Sequence, residues 1–349
     1  MRVTATLDYE TLEEIGTGEG MNSTVYRARD PQLAAIVAVK EIEQANFGNP
    51  TDYWNEAQTM FENAHENVVA IRCACRTPDM IALLMPYYAK GSLAKRIERG
   101  PLPLGETLRV AHDVLRGLAH IHLRGFVHLD VKPSNVLFSD SEKAMVADFG
   151  QSRAISSGGV VTLPPMYRTV LPPETLATGV VTTPADVYQA GVLLYRCVNG
   201  DPHYEAQVLS DDDKLKKMIA RGKFPDRRGF LPHVPKRLRT IIRTALQTDP
   251  SKRYQTANAM AAALGRMPLA MDWGAMPLPH GGMRWKAERY NQPDLVVELS
   301  NAGSGYHTGV YTDRFGKRRR VHPATFEKTL PTRDDAFAHL ETVFQRLPG

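Results

Sequence analysis

Cysteine and long apolar stretches are scarce in this sequence. Its 349 residues include only three cysteines, Cys73, Cys75 and Cys197, which form neither an even disulfide set nor a Cys-x-x-Cys metal pair. No apolar run approaches the roughly 20 residues of a membrane span, and residues 1–8 lack the apolar core of a signal peptide. These absences argue against a disulfide-stabilised or membrane-embedded chain, and they predict a cytoplasmic protein.

Two further patterns limit the function. The motif Gly-x4-Gly-Lys-Ser/Thr is absent, so the chain lacks the phosphate loop of P-loop ATPases. The net charge is only +5, but residues 284–349 hold eleven Lys and Arg against eight Asp and Glu, which concentrates the basic excess at one end. A hydrophobic content of 43% is sufficient for a two-lobed core and a smaller unit.

Two polar motifs carry the chemistry, His128-Leu-Asp-Val-Lys-Pro-Ser-Asn135 and Asp148-Phe-Gly150. The first contains a carboxylate, Asp130, that can accept a hydroxyl proton, and a cation two residues later, Lys132. The same motif ends in Asn135, whose amide oxygen suits a metal ion, and the second motif supplies another carboxylate for metal. These residue types in this order indicate transfer of a phosphoryl group.

The two motifs resemble the catalytic loop and the metal-binding triplet of the eukaryotic-type (Hanks-type) protein kinases. The interval of thirteen residues from Asn135 to Asp148 is also the usual one in that family. The resemblance implies that Asp130, Lys132 and Lys40 are catalytic, that Asn135 and Asp148 hold Mg²⁺, and that ATP is the phosphate donor. A lysine two residues after the catalytic aspartate is typical of the serine/threonine branch.

A glycine-rich segment and a strand lysine have the family's spacing. Lys40 follows Val25 by fifteen residues, which makes Gly18-x-Gly20-x-x-Ser23-x-Val25 the phosphate-covering loop, with Ser23 in place of the usual third glycine. Glycine suits such a loop because a Cβ would keep backbone N–H groups away from phosphate oxygens. The residues assigned to nucleotide binding by this resemblance are Gly18, Gly20, Ser23, Val25, Ala38 and Lys40.

Two further segments complete the predicted nucleotide site. Apolar residues recur at helical spacing over 51–64, and Glu56 beside that stripe is expected to pair with Lys40; Glu62 is the alternative in another register. The run 83–93 resembles the hinge between the lobes, whose main-chain groups bind adenine. Its predicted nucleotide contacts are Met85, Pro86 and Tyr88; proline lacks an N–H but keeps its carbonyl.

Three residues depart from the usual family pattern. The activation segment of the family corresponds here to residues 151–174. Leu129 stands where most members have an arginine that pairs with a phosphorylated residue of this segment, so we expect no such switch. Ser23 replaces a glycine. Tyr167 replaces a threonine that often contacts the catalytic aspartate, with Thr169 as its substitute if the loop takes another path.

Other matches concern the scaffold. Asp186 is expected to anchor the catalytic loop from below, and Glu174 is expected to form an ion pair with Arg253. His128 is predicted to be a packed core residue without a direct chemical role.

The chain is therefore predicted to have an α+β fold, with a two-lobed protein kinase domain over residues 9–266. Its β-rich N-lobe covers about 9–85 and its α-rich C-lobe about 86–266. Residues 267–283, rich in Pro, Met and Gly, are predicted to be a linker. A small basic domain of short strands and one helix is predicted over 284–349.

The predicted function is transfer of the γ-phosphate of Mg-ATP to serine or threonine hydroxyl groups of proteins. The alternative is an ATP-binding pseudokinase that acts as a switch or scaffold through its C-terminal domain, and a kinase of small molecules is a third possibility. Residues 317–320, Lys-Arg-Arg-Arg with aromatics nearby, suggest a nucleic-acid or acidic protein partner. The same charges are also compatible with a solvated face.

Overall fold

A computed structural model gives the fold, and it describes residues 7–16, 23–43, 64–77, 79–155, 161–162, 168–301 and 303–347. These residues form a β-rich lobe, an α-rich lobe and a C-terminal β-rich unit, which confirms the predicted α+β class. No helix among them combines the length and the apolar character that crossing a membrane requires.

The N-terminal lobe is an antiparallel sheet in the order β1-β2-β3-β5-β4. The strands are β1 Glu10–Ile15, β2 Ser23–Asp30, β3 Ala35–Glu43, β4 Cys73–Arg76 and β5 Met80–Pro86. Val37 and Val39 on the central strand pack with Leu84 on one face of the sheet. Because side chains alternate along a strand, Ala38 and Lys40 face the other side.

The C-lobe is mainly helical. Its helices are α1 Leu93–Ile97, α2 Leu104–Leu123, α3 Pro173–Ala177, α4 Pro184–Asn199, α5 Asp201–Glu205, α6 Asp212–Ala220, α7 Lys236–Ala245 and α8 Ala257–Gly265. Short strands pair as β6 Phe126–Val127 with β9 Arg153–Ala154, β7 Val136–Phe138 with β8 Ala144–Val146, and β10 Val161–Thr162 with β11 Val180–Val181. Single 3₁₀ turns occur at Pro133–Asn135, Arg168–Val170, Pro250–Lys252 and Pro279–Gly281.

Two helices form the centre of this lobe. Every residue of α4 except Arg196 is buried, which is the pattern of a helix surrounded by protein on all sides. Apolar residues recur at helical spacing from Leu104 to Leu123, which predicts a helix with the bounds that α2 has. Helix α2 also approaches the chain at Asn67 closely. A Cβ at Gly117 would lie 2.5 Å from the carbonyl oxygen of Asn67, so only glycine permits this approach.

The C-terminal unit is a six-stranded sheet with one long helix. Its elements are β12 Trp273–Pro277, β13 Met283–Ala287, β14 Asp294–Asn301, β15 Tyr306–Arg314, β16 Lys317–Arg320, α9 Pro323–Phe326, β17 Lys328–Leu330 and α10 Arg333–Arg346. The strand order is β12-β13-β14-β15-β16, and β17 also pairs with β15. Helix α10 packs on the sheet through Phe344, whose ring centroid lies 5.6 Å from that of Trp285.

The structure corrects the predicted linker. Strand β12 lies inside 267–283 and pairs with β13 from Trp273↔Ala287 to Pro277↔Met283, so the sheet begins before residue 284. Trp273 is only 5% exposed and contacts Phe344 edge-on with ring centroids 5.0 Å apart. The Pro- and Gly-rich composition was misleading because burial of this indole, a long-range contact, decides the conformation of the segment.

The C-terminal unit also packs against the C-lobe. Residues of both belong to one continuous apolar core, for example Leu104 and Trp285. The Trp285 indole Nε1–H donates to His233 Nδ1 at 3.0 Å, and Arg239 Nη1 lies 2.5 Å from a carboxylate oxygen of Glu341. Burial lowers the pKa of His233 to about 3, so the ring is neutral and can accept this bond. The unit is therefore an extension of the C-lobe core.

Candidate active site

The predicted catalytic loop connects β6 to β7 and ends in the 3₁₀ turn Pro133–Asn135. Asp130 in this loop is 2% exposed, and its Oδ2 accepts a hydrogen bond from Asn135 Nδ2 at 2.7 Å. The same Nδ2 donates to the main-chain carbonyl of Asp130 at 3.0 Å, and Lys132 Nζ lies 3.2 Å from Oδ2. The three predicted residues are thus brought together, with Asn135 fixing the orientation of the carboxylate.

The second carboxylate oxygen of Asp130 has a different environment. Oδ1 is buried and has no hydrogen-bond partner among the residues that the structure describes. Burial raises the pKa of Asp130, and the nearby Asp148 carboxylate raises it further, while the Lys132 ammonium lowers it. A buried carboxylate with one fixed and one available oxygen is suited to accept a proton.

The loop backbone is anchored by Asp186 of α4. This fully buried carboxylate accepts the N–H groups of His128 and Leu129, each at 2.8 Å, and His122 Nε2 lies 2.7 Å away. Burial raises the pKa of Asp186, but the hydrogen bonds, led by that of His122, lower it below its ordinary value, so the group stays ionised. The anchoring predicted for Asp186 is confirmed.

His128 is a core residue, as predicted. It is fully buried, its Nε2 lies 3.2 Å from the carbonyl oxygen of Ala147, and its ring packs edge-on against Phe149 with centroids 5.1 Å apart. The imidazole therefore connects the catalytic loop to the Asp148-Phe-Gly150 motif and the residue before it.

Lys40 and Asp148 meet between the lobes. Lys40 Nζ lies 2.9 Å from Asp148 Oδ1, and the N–H of Gly150 also donates to that oxygen, at 3.2 Å. Burial raises the pKa of Asp148, but the Lys40 ammonium outweighs it and brings the pKa to about 2. Asp148 is therefore a carboxylate throughout the neutral range. Glu56 and Glu62, the predicted partners of Lys40, lie outside the described residues.

The other predicted nucleotide contacts lie on neighbouring strands where they are described. In the β2–β3–β5 part of the sheet, Val25 pairs with Lys40 and Ala38 pairs with Met85. Pro86 ends β5, and the carbonyl of Tyr88 accepts the N–H of Gly91 at 3.0 Å in the turn that follows. Ser23 begins β2. Gly18 and Gly20 lie outside the described residues, so their contact with phosphate stays a prediction.

Leu129 occupies the position where an arginine was expected from the family. It is fully buried in an apolar cluster with Val127, Val181 and Ala185, and its φ of +65° is left-handed. Its members come from β6, the catalytic loop, β11 and the start of α4. This position is therefore part of the core, and it offers no cation to a phosphate.

The end of the activation segment is held by buried polar groups. Arg253 Nη1 and Nη2 bond the two carboxylate oxygens of Glu174 at 2.8 and 2.6 Å, which confirms the predicted ion pair. The phenol of Tyr204 donates to the carbonyl of Thr169 at 2.5 Å. Tyr167 lies outside the described residues, and the substitution of Thr169 for a threonine contact to Asp130 stays a prediction.

Sequence reasoning missed Gln189 of α4. Its side chain is fully buried; Oε1 accepts the N–H of Val131 at 3.0 Å, and Nε2 donates to the carbonyl of Leu129 at 2.8 Å. An amide within the otherwise apolar run of α4 was the available signal, because buried polar side chains almost always have partners.

The residues present fit a magnesium ion. Asn135 uses its Nδ2 on Asp130, which leaves the amide oxygen for a metal, and Asp148 supplies a carboxylate. No group of three or more His, Cys, Asp or Glu that could hold a metal alone occurs in the described part of the chain. Mg²⁺ does not need one, because it typically takes one or two protein oxygens together with substrate phosphates and water.

This fold and this site define a phosphotransferase with a strand lysine, a catalytic loop and a metal-binding carboxylate between two lobes. Comparison with known proteins gives the family. The sequence model described as protein kinase domain matches residues 9–264.

Known proteins that the chain resembles are kinases of bacteria and animals. It is 30% identical over 293 residues to the serine/threonine-protein kinase PknL of Mycobacterium tuberculosis, which covers 81% of this chain and 72% of PknL. It is 31% identical over 261 residues to the serine/threonine-protein kinase PrkC of Bacillus subtilis, or 73% of this chain and 39% of PrkC. The calcium/calmodulin-dependent protein kinase type 1B of Rattus norvegicus is 27% identical over 327 residues, or 90% of this chain and 93% of that kinase.

The chain belongs to the protein kinase family, as a Hanks-type serine/threonine kinase, and the predicted enzyme class is confirmed.

Proposed function

We propose that the protein transfers the γ-phosphate of ATP to serine and threonine hydroxyl groups of protein substrates, with Asp130 accepting the hydroxyl proton. The observation that carries this proposal is the Asp130 carboxylate. Its Oδ2 is held by Asn135 at 2.7 Å, whereas its buried Oδ1 has no partner among the described residues. That oxygen is the one available to the substrate hydroxyl.

Each charged residue of the site has a separate role in phosphoryl transfer. Asp130 orients the hydroxyl and takes its proton as the hydroxyl oxygen bonds the γ-phosphorus and the bond to the β,γ-bridging oxygen breaks, which leaves ADP. Lys132, next to Asp130, stabilises negative charge on the transferred group, and Lys40 orients the other phosphates. When bound at Asn135 and Asp148, Mg²⁺ supplies charge neutralisation of the phosphate oxygens. The remaining nucleotide contacts in this proposal are Gly18, Gly20, Ser23, Val25, Ala38, Glu56, Met85, Pro86 and Tyr88.

Activity in this proposal does not depend on phosphorylation of the activation segment. The usual mechanism needs a cation next to the catalytic aspartate to pair with the phosphate. Leu129 occupies that position, fully buried in its apolar cluster. Bringing an anion to it would place the phosphate against apolar groups, which costs free energy.

A protein or nucleic-acid partner of residues 317–320 stays a proposal for the C-terminal unit. Arg318 lies 3.1 Å from Glu298, and Arg320 lies 3.3 Å from Glu327, so intramolecular ion pairs use these two charges. Lys317 and Arg319 alternate with them along β16 and are exposed. Binding to an acidic partner is therefore expected to depend mainly on Lys317 and Arg319. To test this expectation, the affinity for an acidic partner is measured by titration at increasing salt for wild type and for the Lys317→Gln, Arg319→Gln double variant.

The first experiment is transfer of labelled γ-phosphate from Mg-ATP to the protein itself and to a generic basic protein. Wild type is compared with Asp130→Asn, and with Asp140→Asn as a control at an exposed aspartate of the same lobe. Label in wild type and control but not in Asp130→Asn supports the proposal. Absence of label from all three, while all bind ATP, would favour the ATP-binding switch instead. The cytoplasmic location predicted from the sequence is part of this proposal, and fractionation of cells that express the protein tests it.

A further inference from the structure

Gln189 uses its whole carboxamide within the core. It is fully buried on α4, one helical turn after the anchor Asp186 and on the same face of the helix. Its Oε1 accepts the N–H of Val131, and its Nε2 donates to the carbonyl of Leu129. The amide group therefore forms hydrogen bonds to the backbone on both sides of Asp130.

The same side chain reaches a second segment. Nε2 also donates to the carbonyl of Val170 at 3.3 Å. Val170 lies in the turn Arg168–Val170 at the end of the activation segment, four residues before Glu174, and it is 1% exposed. One buried amide thus connects the catalytic loop with the segment whose end is fixed by the Glu174–Arg253 ion pair.

The neighbouring carbonyl is held in a similar way. The buried Tyr204 donates its phenol O–H to Thr169, so the carbonyls of residues 169 and 170 each accept a bond from a side chain of the C-lobe core. Neither bond involves a charge or a modification. We call the hydrogen bonds of Gln189 to the catalytic loop and to Val170 the tether. It is present in a chain that has no cation at residue 129.

We infer that Gln189 is a positioning residue: it fixes the end of the activation segment, where a protein substrate would bind, relative to Asp130. It does so without a phosphate. This inference rests on the proposed kinase function, because the relative position matters only if a protein hydroxyl must reach Asp130. A displacement of about 1 Å of the segment relative to the loop would lower the rate of transfer strongly.

Two variants separate the parts of the tether. Gln189→Glu keeps an acceptor for the N–H of Val131 but places carboxylate oxygen near the carbonyls of Leu129 and Val170. Gln189→Met removes all three hydrogen bonds at similar volume. The matched control is Asn199→Asp, because Asn199 is a buried amide that bonds the N–H of Leu231 at 3.0 Å and the carbonyl of Gly229 at 3.3 Å, away from the catalytic loop.

The first measurement is steady-state phosphorylation of a peptide together with the Kd of ATP. For both Gln189 variants we expect kcat/KM for peptide to fall about tenfold or more, with the Kd of ATP within about twofold of wild type. Asn199→Asp is expected to keep both parameters. A parallel loss of ATP affinity in the Gln189 variants, or unchanged peptide kinetics in folded variants, would overturn the inference.

The second measurement does not require activity. Amide hydrogen exchange of peptides covering residues 129–131 and 168–171 is expected to accelerate together in the Gln189 variants and to stay unchanged in Asn199→Asp. If wild type transfers no phosphate, the proposed function fails while this experiment still tests the tether. Unchanged exchange at both segments would contradict the tether itself.

Discussion

Lys40 and Asp148 lie 108 residues apart in the sequence and form an ion pair with 2.9 Å between Nζ and Oδ1. One residue comes from the central strand of the N-lobe and the other follows the β8 strand of the C-lobe. The pair therefore reports how the two lobes meet, and it places a cation and a metal-binding carboxylate at the same point.

Removal of either member of this pair is expected to abolish phosphate transfer. Lys40→Ala and Asp148→Ala should each lower kcat by about 100-fold or more, because charge stabilisation of the transferred phosphoryl group is lost. The measurement is γ-phosphate transfer at saturating ATP, with the thermal midpoint as a check on folding. Lys90→Ala is the matched control, because Lys90 forms an exposed ion pair with Glu142 at 2.8 Å. Turnover near that of wild type in either active-site variant would contradict the assigned roles.

The rate of transfer is expected to fall at acidic pH through protonation of Asp130. Burial raises the pKa of Asp130 above its ordinary 3.8, whereas the pKa of Asp148 is about 2, so Asp130 loses its charge first as the pH falls. Lys132 lowers the pKa of Asp130, and Lys132→Met should therefore move the acidic limb to higher pH. The measurement is kcat against pH for both proteins. If the acidic limb of the kcat profile in Lys132→Met stays at the pH of wild type or moves to lower pH, a group other than Asp130 controls the limb.

Dephosphorylation of the protein is expected to leave its activity within about twofold. The physical reason is the burial of Leu129, which removes the cation that a segment phosphate would need. The protein is treated with a phosphatase, its phosphate content is checked by mass spectrometry, and peptide phosphorylation is measured before and after. A loss of more than tenfold that is recovered on rephosphorylation would mean that another cation takes the role of the missing arginine.

Restoring the arginine is expected to destabilise the fold. Leu129→Arg places a charge in the cluster of Val127, Val181 and Ala185, which should lower the free energy of unfolding by roughly 3 kcal/mol. Leu123→Arg is the control, because Leu123 is 84% exposed and the change should cost about 0.5 kcal/mol or less. Urea unfolding measures both. Equal stability of the two variants would argue against burial of residue 129.

The C-terminal unit is expected to unfold together with the C-lobe. Trp285→Ala removes a fully buried indole and its bond to His233, which should cost roughly 3–5 kcal/mol and lower the stability of both regions in one transition. Tyr290→Ala, at a side chain that is 93% exposed, should change little. Urea unfolding followed by fluorescence and by loss of kinase activity tests this. If the fluorescence change shows unfolding of the C-terminal unit at lower urea while the kinase activity is lost at the same urea concentration as in wild type, the two regions are independent.

Much of the fold was predictable from local patterns. The bounds of α2 followed from apolar residues at helical spacing, and the ion pair of Glu174 with Arg253 followed from motif positions. The linker over 267–283 was mispredicted because its composition is that of a loop. Pairing with β13 and contact with the side chain of Phe344, both outside the segment, make residues 273–277 a strand with a buried tryptophan.

The sequence by itself determined the family and the order of the chemical groups, because Asp130, Lys132, Asn135 and Asp148 occur within two short motifs whose spacing is readable along the chain. Tertiary structure alone decided which atoms meet. The available oxygen of Asp130, the buried site of Leu129 and the tether of Gln189 depend on contacts between segments that are distant in sequence. No local pattern specifies them, because packing and hydrogen bonding select among the orientations that a side chain can adopt.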